Sequence, residues 1–455
     1  MNRLSRRNNF ENTISPIIEN FFTAFNIASL LRAANACKER GFPVVAIFQS
    51  LFELVFSNRT MFMAQKTIEN MKIGKDAFYR FVNSTSTNWL RFTSKLASKV
   101  ISTFFEKIAE AGRINVIIID DTIHERSRSK SVELLAKVFD HAKHCYTYGF
   151  RLLTLGWSDG NTFVPVNYCL LSSENPKARS QAQKDIDKRT FGHKIRRLAQ
   201  TKAPAVVLEL IDMAIESGIK ASHVLFDSWF CSPASLIAVK EKGFDVISIA
   251  KKSSKQHYIY EGQRLPVTKI WKGHQKRRGR SRYLLSVEVC VESDGKIIPA
   301  RLVYVRNRNK RKEYLVLIST DMNLSEDQII RLYGKRWGIE VFFKFCKSYL
   351  KLGKESRTMC YDAMNAYVAI VFARYIMLSI ENRLTRDESS FGELFYRTCD
   401  GLRDITFEEA IRLLMSVLLS DSECGFLMGE EMNEMLEEFV LAVKKFLPQI
   451  LQKRT

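Results

Sequence analysis

The chain has 455 residues, with 70 Lys+Arg against 49 Asp+Glu and a formal charge of +21, a surplus beyond what solubility needs and of the sign that a phosphate backbone attracts. Hydrophobic residues make up 46% and charged residues 26%, with only 20 Gly and 9 Pro, which excludes disordered, collagenous and linker-dominated chains. Nine cysteines without a Cys-x-x-Cys pair predict reduced thiols in a cytoplasmic compartment and no disulfide framework.

Residues 1–110 place apolar side chains at three-to-four spacing and predict a helical domain. Within it, residues 71–73, Gly74 and residues 75–81 read as helix, turn and second helix. That pair either presents Lys75 and Arg80 to DNA or is an ordinary helical hairpin. At Arg113 the pattern changes. Residues 114–119, almost wholly β-branched, predict a central strand buried on both faces and ending in Asp120-Asp121-Thr122. Two further strands are expected at 150–157 and 163–171, joined by the turn sequence Ser158-Asp159-Gly160-Asn161. Polar, basic residues 177–200 predict a surface loop with helix. A helix over 206–217, a strand over 224–226 ending at Asp227, a helix over 233–242 and a strand over 246–249 complete an α/β core with some parallel pairing.

Residues 255–320 break that rhythm, alternating like antiparallel strands at 283–291, 296–306 and 313–319. They carry two basic clusters: Lys272, Lys276, Arg277, Arg278, Arg280 and Arg282, then Arg306, Arg308, Lys310, Arg311 and Lys312. Beside Trp271 and Tyr283, these suit nucleic-acid contact better than two solvated hairpin tips would. After Ser325 the chain is expected to be helical. Its most apolar stretch, 367–380, is interrupted by Arg374 and reads as too short to span a bilayer. From Glu381 onward nine basic residues meet fifteen acidic ones, a net of −6, which leaves +27 upstream. A polyanion should therefore bind upstream of the tail. The implied division is a helical DNA-binding domain at 1–110, a catalytic core at 111–254 and 321–385, a basic β-rich insertion at 255–320, and an acidic helical region at 386–455.

Asp120 and Asp227 both close core-type strands, where a carboxylate is costly to desolvate unless a cation or hydrogen bonds balance it. Asp227-Ser228 would also suit a helix N-cap. Two such acids in one core make a shared metal site at least as good a reading as the cap. A third comes from the predicted helix 332–349. At about 100° per residue, Tyr333, Arg336, Glu340, Lys344 and Lys347 fall within roughly 80° on one face. Ile339, Phe342, Phe345, Cys346 and Tyr349 form the opposite, apolar stripe.

The spacing Tyr333, Arg336, Glu340, Lys347 resembles the Tyr-Arg-Glu-Lys signature of the insertion sequence 4 family of bacterial DDE transposases. Asp120-Asp121-Thr122 is similar to that family's first catalytic segment and Phe226-Asp227-Ser228-Trp229-Phe230 to its second. Arg336-Trp337-Gly338-Ile339-Glu340 resembles the third, so the likeness covers about residues 113–385. It implies an α/β, ribonuclease H-like catalytic core interrupted by a β-rich insertion. It also implies that Asp120, Asp227 and Glu340 hold two Mg²⁺ ions, for which Mn²⁺ can substitute, as suits an all-oxygen donor set. The implied reaction is cut-and-paste transposition: nicking, hairpin formation, hairpin opening and strand transfer, each an in-line attack on phosphorus. Tyr333, Arg336 and Lys347 would contact DNA phosphates, alongside Lys276, Arg277, Arg278 and Arg280 of the basic cluster. Trp271 would hold a flipped base during hairpin formation. The implied partners are double-stranded DNA, as terminal inverted repeats and as target, and a second copy of the chain.

The family pattern selects Asp120 over Asp121. Strand alternation puts Asp120 on the side of Val116 and Ile118 and Asp121 opposite, with Asp121 kept as the second choice. His141, His144 and Cys145 lack a complementary ligand pair for zinc; His124 is near enough to the first acid to touch DNA or bound water, although a single His near a site is common by chance. Neither a phosphate-binding glycine loop nor a nucleophile elbow occurs. Two rivals share the motif: a catalytically inactive transposase acting as a DNA-binding regulator, and a ribonuclease H-like nuclease without end specificity.

Overall fold

The computed structural model describes residues 16–57, 73–108, 112–140, 143–278, 281–307, 310, 313–355 and 357–384. The acidic region 386–455, Arg280, His141 and the first helix of the Gly74 hairpin lie outside them. The described residues from Asn20 onward belong to one compact unit.

Its centre is a mixed sheet of eleven strands among the described residues. β1 (Val116–Glu125), β2 (Ala136–Asp140), β3 (Cys145–Ser158) and β4 (Phe163–Leu171) precede β5 (His223–Phe226) and β6 (Asp245–Ile249). β1 pairs antiparallel with β3, which pairs antiparallel with β4; on its other side β1 runs parallel to β5, and β5 parallel to β6. Three antiparallel strands followed by two parallel ones, in the order β4-β3-β1-β5-β6, is consistent with a ribonuclease H-like nuclease fold. Helices α1 (Pro16–Ala24), α2 (Ile27–Ala33), α3 (Val44–Glu53), α4 (Lys75–Val82) and α5 (Trp89–Val100) precede β1, and α6 (Phe191–Ala199) follows β4. Helices α7 (Ala203–Glu216) and α8 (Pro233–Glu241) supply the crossovers that parallel strands require.

β1 is longer than expected. It does not end at Asp120 but continues to Glu125, because the fourteen-residue β3 pairs with it as far as Glu125↔Gly149. Both aspartates therefore sit inside a strand whose backbone is fully paired with β3, and only their carboxylates need partners.

Residues 255–320 continue the same sheet. β7 (Tyr258–Tyr260) and β8 (Gln263–Leu265) form a small hairpin, followed by α9 (Val267–Lys272), β9 (Tyr283–Ser293), β10 (Lys296–Arg306) and β11 (Tyr314–Ser319). β11 docks antiparallel on β6, so the order runs on as β6-β11-β10-β9-β7-β8.

Register across five strands assigns the two faces of the sheet. Ile118 is level with Leu225, Ile247, Ser319 and Arg301, while Ile119 is level with Phe226, Ser248, Ile318 and Leu302. With a period of two, Asp120 belongs to the first face, and Asp121, Val316, Tyr314 and Tyr304 to the second. Helices α10 (Glu326–Gly334), α11 (Trp337–Ser348) and α12 (Tyr361–Leu384) cover the Asp120 face. There Phe163 meets Phe342, and the Tyr168 hydroxyl donates to the Asn365 carbonyl at 2.6 Å. On the other face Asn167 donates to the Leu210 carbonyl of α7 at 3.0 Å.

The expected continuous helix 332–349 is broken. Lys335, Arg336 and Gly338 donate to carbonyls three residues back, at 3.0–3.1 Å. Gly334 and Gly338 weaken the helix there, and the Lys335 ammonium is drawn down to the carbonyls of Ile114 (2.6 Å) and Asp159 (3.2 Å). The expected apolar stripe is nevertheless buried from Ile339 to Cys346, with Tyr349 at its margin. The apolar stretch around Arg374 is also longer than it reads in sequence. At 24 residues, α12 is long and apolar enough to cross a membrane, yet 94% of its apolar window is buried inside the protein.

Candidate active site

Asp120 and Asp227 reach the same place from neighbouring strands. The last paired row of β1 and β5 is Ile119↔Phe226, and each aspartate is the next residue. The Asp227 carboxylate accepts the Trp229 backbone N–H at 2.8 Å. It does not cap α8, whose N-cap is Ser232, so the N-cap alternative for this acid fails. Glu340 comes from the first turn of α11, which lies along β1.

One guanidinium ties two of the acids together. Arg336, in the break between α10 and α11, donates to Asp120 at 2.7 Å and pairs with Glu340 one helical turn on. Its guanidinium carbon lies 5.9 Å from the centre of the Tyr333 ring. Burial pushes the Asp120 carboxyl up to about 7; the Arg336 charge opposes that shift and the Asp227 carboxylate adds to it. Burial also raises the Tyr333 phenol, which feels the charges of Arg336, Asp227 and Asp120. Two residues along β1, Thr122 accepts a 2.6 Å hydrogen bond from Lys347, whose ammonium burial shifts downward. Asp120, Asp227, Tyr333, Arg336, Glu340 and Lys347 thus gather on one face of the sheet, although they span more than 200 residues of sequence.

Asp121 points the other way, as alternation requires, and pairs with Arg151 of β3. The Arg151 guanidinium lies 4.9 Å from the centre of the Trp229 ring. Asp121 is therefore engaged away from the Asp120 cluster.

Among the described residues, no three Asp, Glu, His or Cys groups converge closely enough to hold a metal ion as they stand; Arg336 stands between Asp120 and Glu340. The donor set still fits one. It is all oxygen, and a carboxyl raised to about 7 marks a cluster in which one guanidinium does not fully balance the buried negative charge. A divalent cation would supply the rest.

The remaining predicted residues lie elsewhere. The Trp271 ring stacks on Tyr314 (4.2 Å between centroids) and Tyr304 (5.3 Å), both on the sheet face opposite Asp120, and Lys276 sits 4.8 Å from its centre. The structure does not bring Trp271 to the acids. Arg277 lies 4.2 Å from the Tyr283 ring, and Arg278 is exposed. His124 is buried rather than facing a ligand. Its ring nitrogens have no hydrogen-bond partner among the described residues, and burial lowers its pKa to about 3. Arg151 was invisible in sequence, since nothing in the chain marks residue 151 as the partner of residue 121. Trp229 carried a weak signal, an aromatic two residues past an acid. It is 49% exposed in the fold.

The family model for DDE superfamily endonucleases matches residues 55–294, more than half of the chain. The chain belongs to this family. The match takes in Asp120 and Asp227 and stops before Glu340, so the third acid rests on the geometry around Arg336. Comparison with curated proteins gives no match. Membership makes this a transposase-type or nuclease chain whose substrate is DNA, in a family that generally uses divalent metal ions.

Proposed function

We propose that the chain is a DNA transposase of the insertion sequence 4 type, acting by cut-and-paste on the ends of its own element. One observation carries the reading: Arg336 pairs with Asp120 and Glu340 and feels the Asp227 charge, on the face that also holds Tyr333 and Lys347. In this reading the three acids hold divalent ions, Mg²⁺ or Mn²⁺, which when bound favour both the attacking and the leaving oxygen at phosphorus. Arg336 leaves the carboxylates and turns its two-pronged donor set to the non-bridging oxygens of the scissile phosphate. Lys347 and Tyr333 hold the flanking backbone. The Arg336 side chain keeps 17% of its surface in solvent, which leaves an opening for that exchange of partners.

The basic residues Lys276, Arg277, Arg278 and Arg280 extend the DNA contact beyond the acids, and two copies of the chain pair the two element ends. Hairpin formation by the freed 3′-OH belongs to this reading, as does action in a bacterial cytoplasm.

The test is Mg²⁺-dependent cleavage of DNA carrying the element's ends. Asp227→Asn and Glu340→Gln should each lower cleavage by more than about a thousand-fold while end binding in EDTA is retained. Wild-type cleavage in both variants would sink the metal-site assignment. Strand-transfer products distinguish the transposase from a nuclease without end specificity, and binding without cleavage in the unsubstituted chain would mark an inactive regulator.

A further inference from the structure

The carboxyl-terminal ends of β1, β5 and β6 share one edge of the sheet with the amino-terminal end of β11. In α/β sheets this is the edge where ligands dock. Along it lie two groups of cations and aromatic rings, joined through consecutive lysines. Arg151 lies 4.9 Å from the centre of the Trp229 ring, and Lys251 lies 5.4 Å from the same ring. Lys252, the next residue, is 4.2 Å from the Tyr314 ring, which is itself 4.2 Å from Trp271. The path begins two residues from Asp227 and leads onto the β7–β11 extension.

A purely structural role would bury these rings. Trp229 instead has half its surface in solvent, Lys252 is exposed, and Tyr314 and Trp271 are half-buried. Duplex DNA hides its base faces, so a duplex could use the cations but not the rings. An unpaired strand uses both, phosphates on the lysines and arginine, bases on the rings.

We propose that this edge binds single-stranded DNA, with Trp229 as the first stacking platform beside Asp227 and Tyr314 as the next. Its ligand is the strand separated from its complement at the cut. Arg151, fixed by Asp121, braces Trp229, which gives the second aspartate of the Asp120-Asp121 pair a role outside metal binding. The identity of the strand rests on the function proposed above; the capacity to bind unpaired DNA does not.

The experiment measures fluorescence anisotropy of the full chain with labelled oligo-dT of about 20 nucleotides, and with a duplex of equal length, in EDTA. Trp229→Ala should weaken oligo-dT binding by about 5- to 100-fold and leave duplex binding within about two-fold, with Trp229→Phe restoring most of the loss. Tyr314→Ala should act in the same direction. Oligo-dT affinity unchanged in both alanine variants, or equal losses for oligo-dT and duplex, would overturn the proposal. EDTA prevents cleavage, so a failure of the metal-site reading leaves these outcomes intact.

Discussion

Two arginines in this fold are each clasped by two carboxylates, and they behave differently. Arg196, on α6 (Phe191–Ala199), bonds Glu133 at 2.7 and 2.9 Å and Asp362 at 2.9 and 2.6 Å, with all three side chains almost wholly buried. Glu133 also accepts the backbone N–H groups of Lys184 and Tyr361. Those bonds and the Arg196 cation outweigh burial and hold the Glu133 carboxyl below its ordinary value. Around Arg336 the balance reverses: burial wins and Asp120 rises to about 7. The first cluster is complete in hydrogen bonds and staples the chain before β2 to α12; the second has fewer such bonds and is partly exposed. Satisfaction of the carboxylates, rather than their number, separates a structural ion cluster from a candidate site.

The largest effect should come from breaking the complete cluster. Arg196→Met leaves two buried carboxylates without their cation and should cost about 3–5 kcal/mol in urea unfolding. A loss below about 1 kcal/mol would erase the contrast. Arg336→Gln should do the opposite, lowering DNA cleavage about 100-fold while shifting stability by less than about 1 kcal/mol. Asp120 can take up a proton when its cation goes, so it need not remain as a buried charge. Matching losses of stability in both variants would show that the two clusters serve the same purpose.

His124 sharpens the comparison along β1, on the Asp120 face but four residues further on. Its folded pKa, about 3, lies below the ordinary 6.5, so the folded state binds fewer protons than the unfolded state. The stability this group contributes is therefore complete above pH 6.5 and lost progressively as pH falls toward 3. At pH 5 the loss should be about 2 kcal/mol relative to pH 7. His124→Asn should remove that difference between denaturation midpoints at the two pH values; an unchanged difference would mean that the ring is not held neutral. The smallest effect is at Thr122→Val, which removes the hydrogen bond from Lys347 and should cost about 1 kcal/mol, read as a shift in thermal midpoint.

Much of this was legible in the chain because it depends on local pattern. A nearly all β-branched run at 114–119 marked β1, the apolar run Val224-Leu225-Phe226 marked β5, and alternation separated Asp120 from Asp121. The period of helix 332–349 put Tyr333, Arg336, Glu340 and Lys347 on one side, and they remain together despite the break at Lys335 and Arg336. That break depended on Lys335 reaching carbonyls more than 170 residues away, which no local window contains. The length of β1 was hidden for a similar reason, since it is set by how far β3 pairs with it.

Residue types, spacing and charge by themselves determined the α/β class, the order of the acids and the DNA-facing sign of the surface. Tertiary structure alone decided which carboxylates are satisfied and which are short of a cation. It also decided that Trp271 packs on the face away from Asp120, that Asp121 holds Arg151, and that Trp229 opens a line of rings and cations. Periodicity is a property of neighbouring residues in sequence, whereas electrostatic balance depends on residues that only folding brings together.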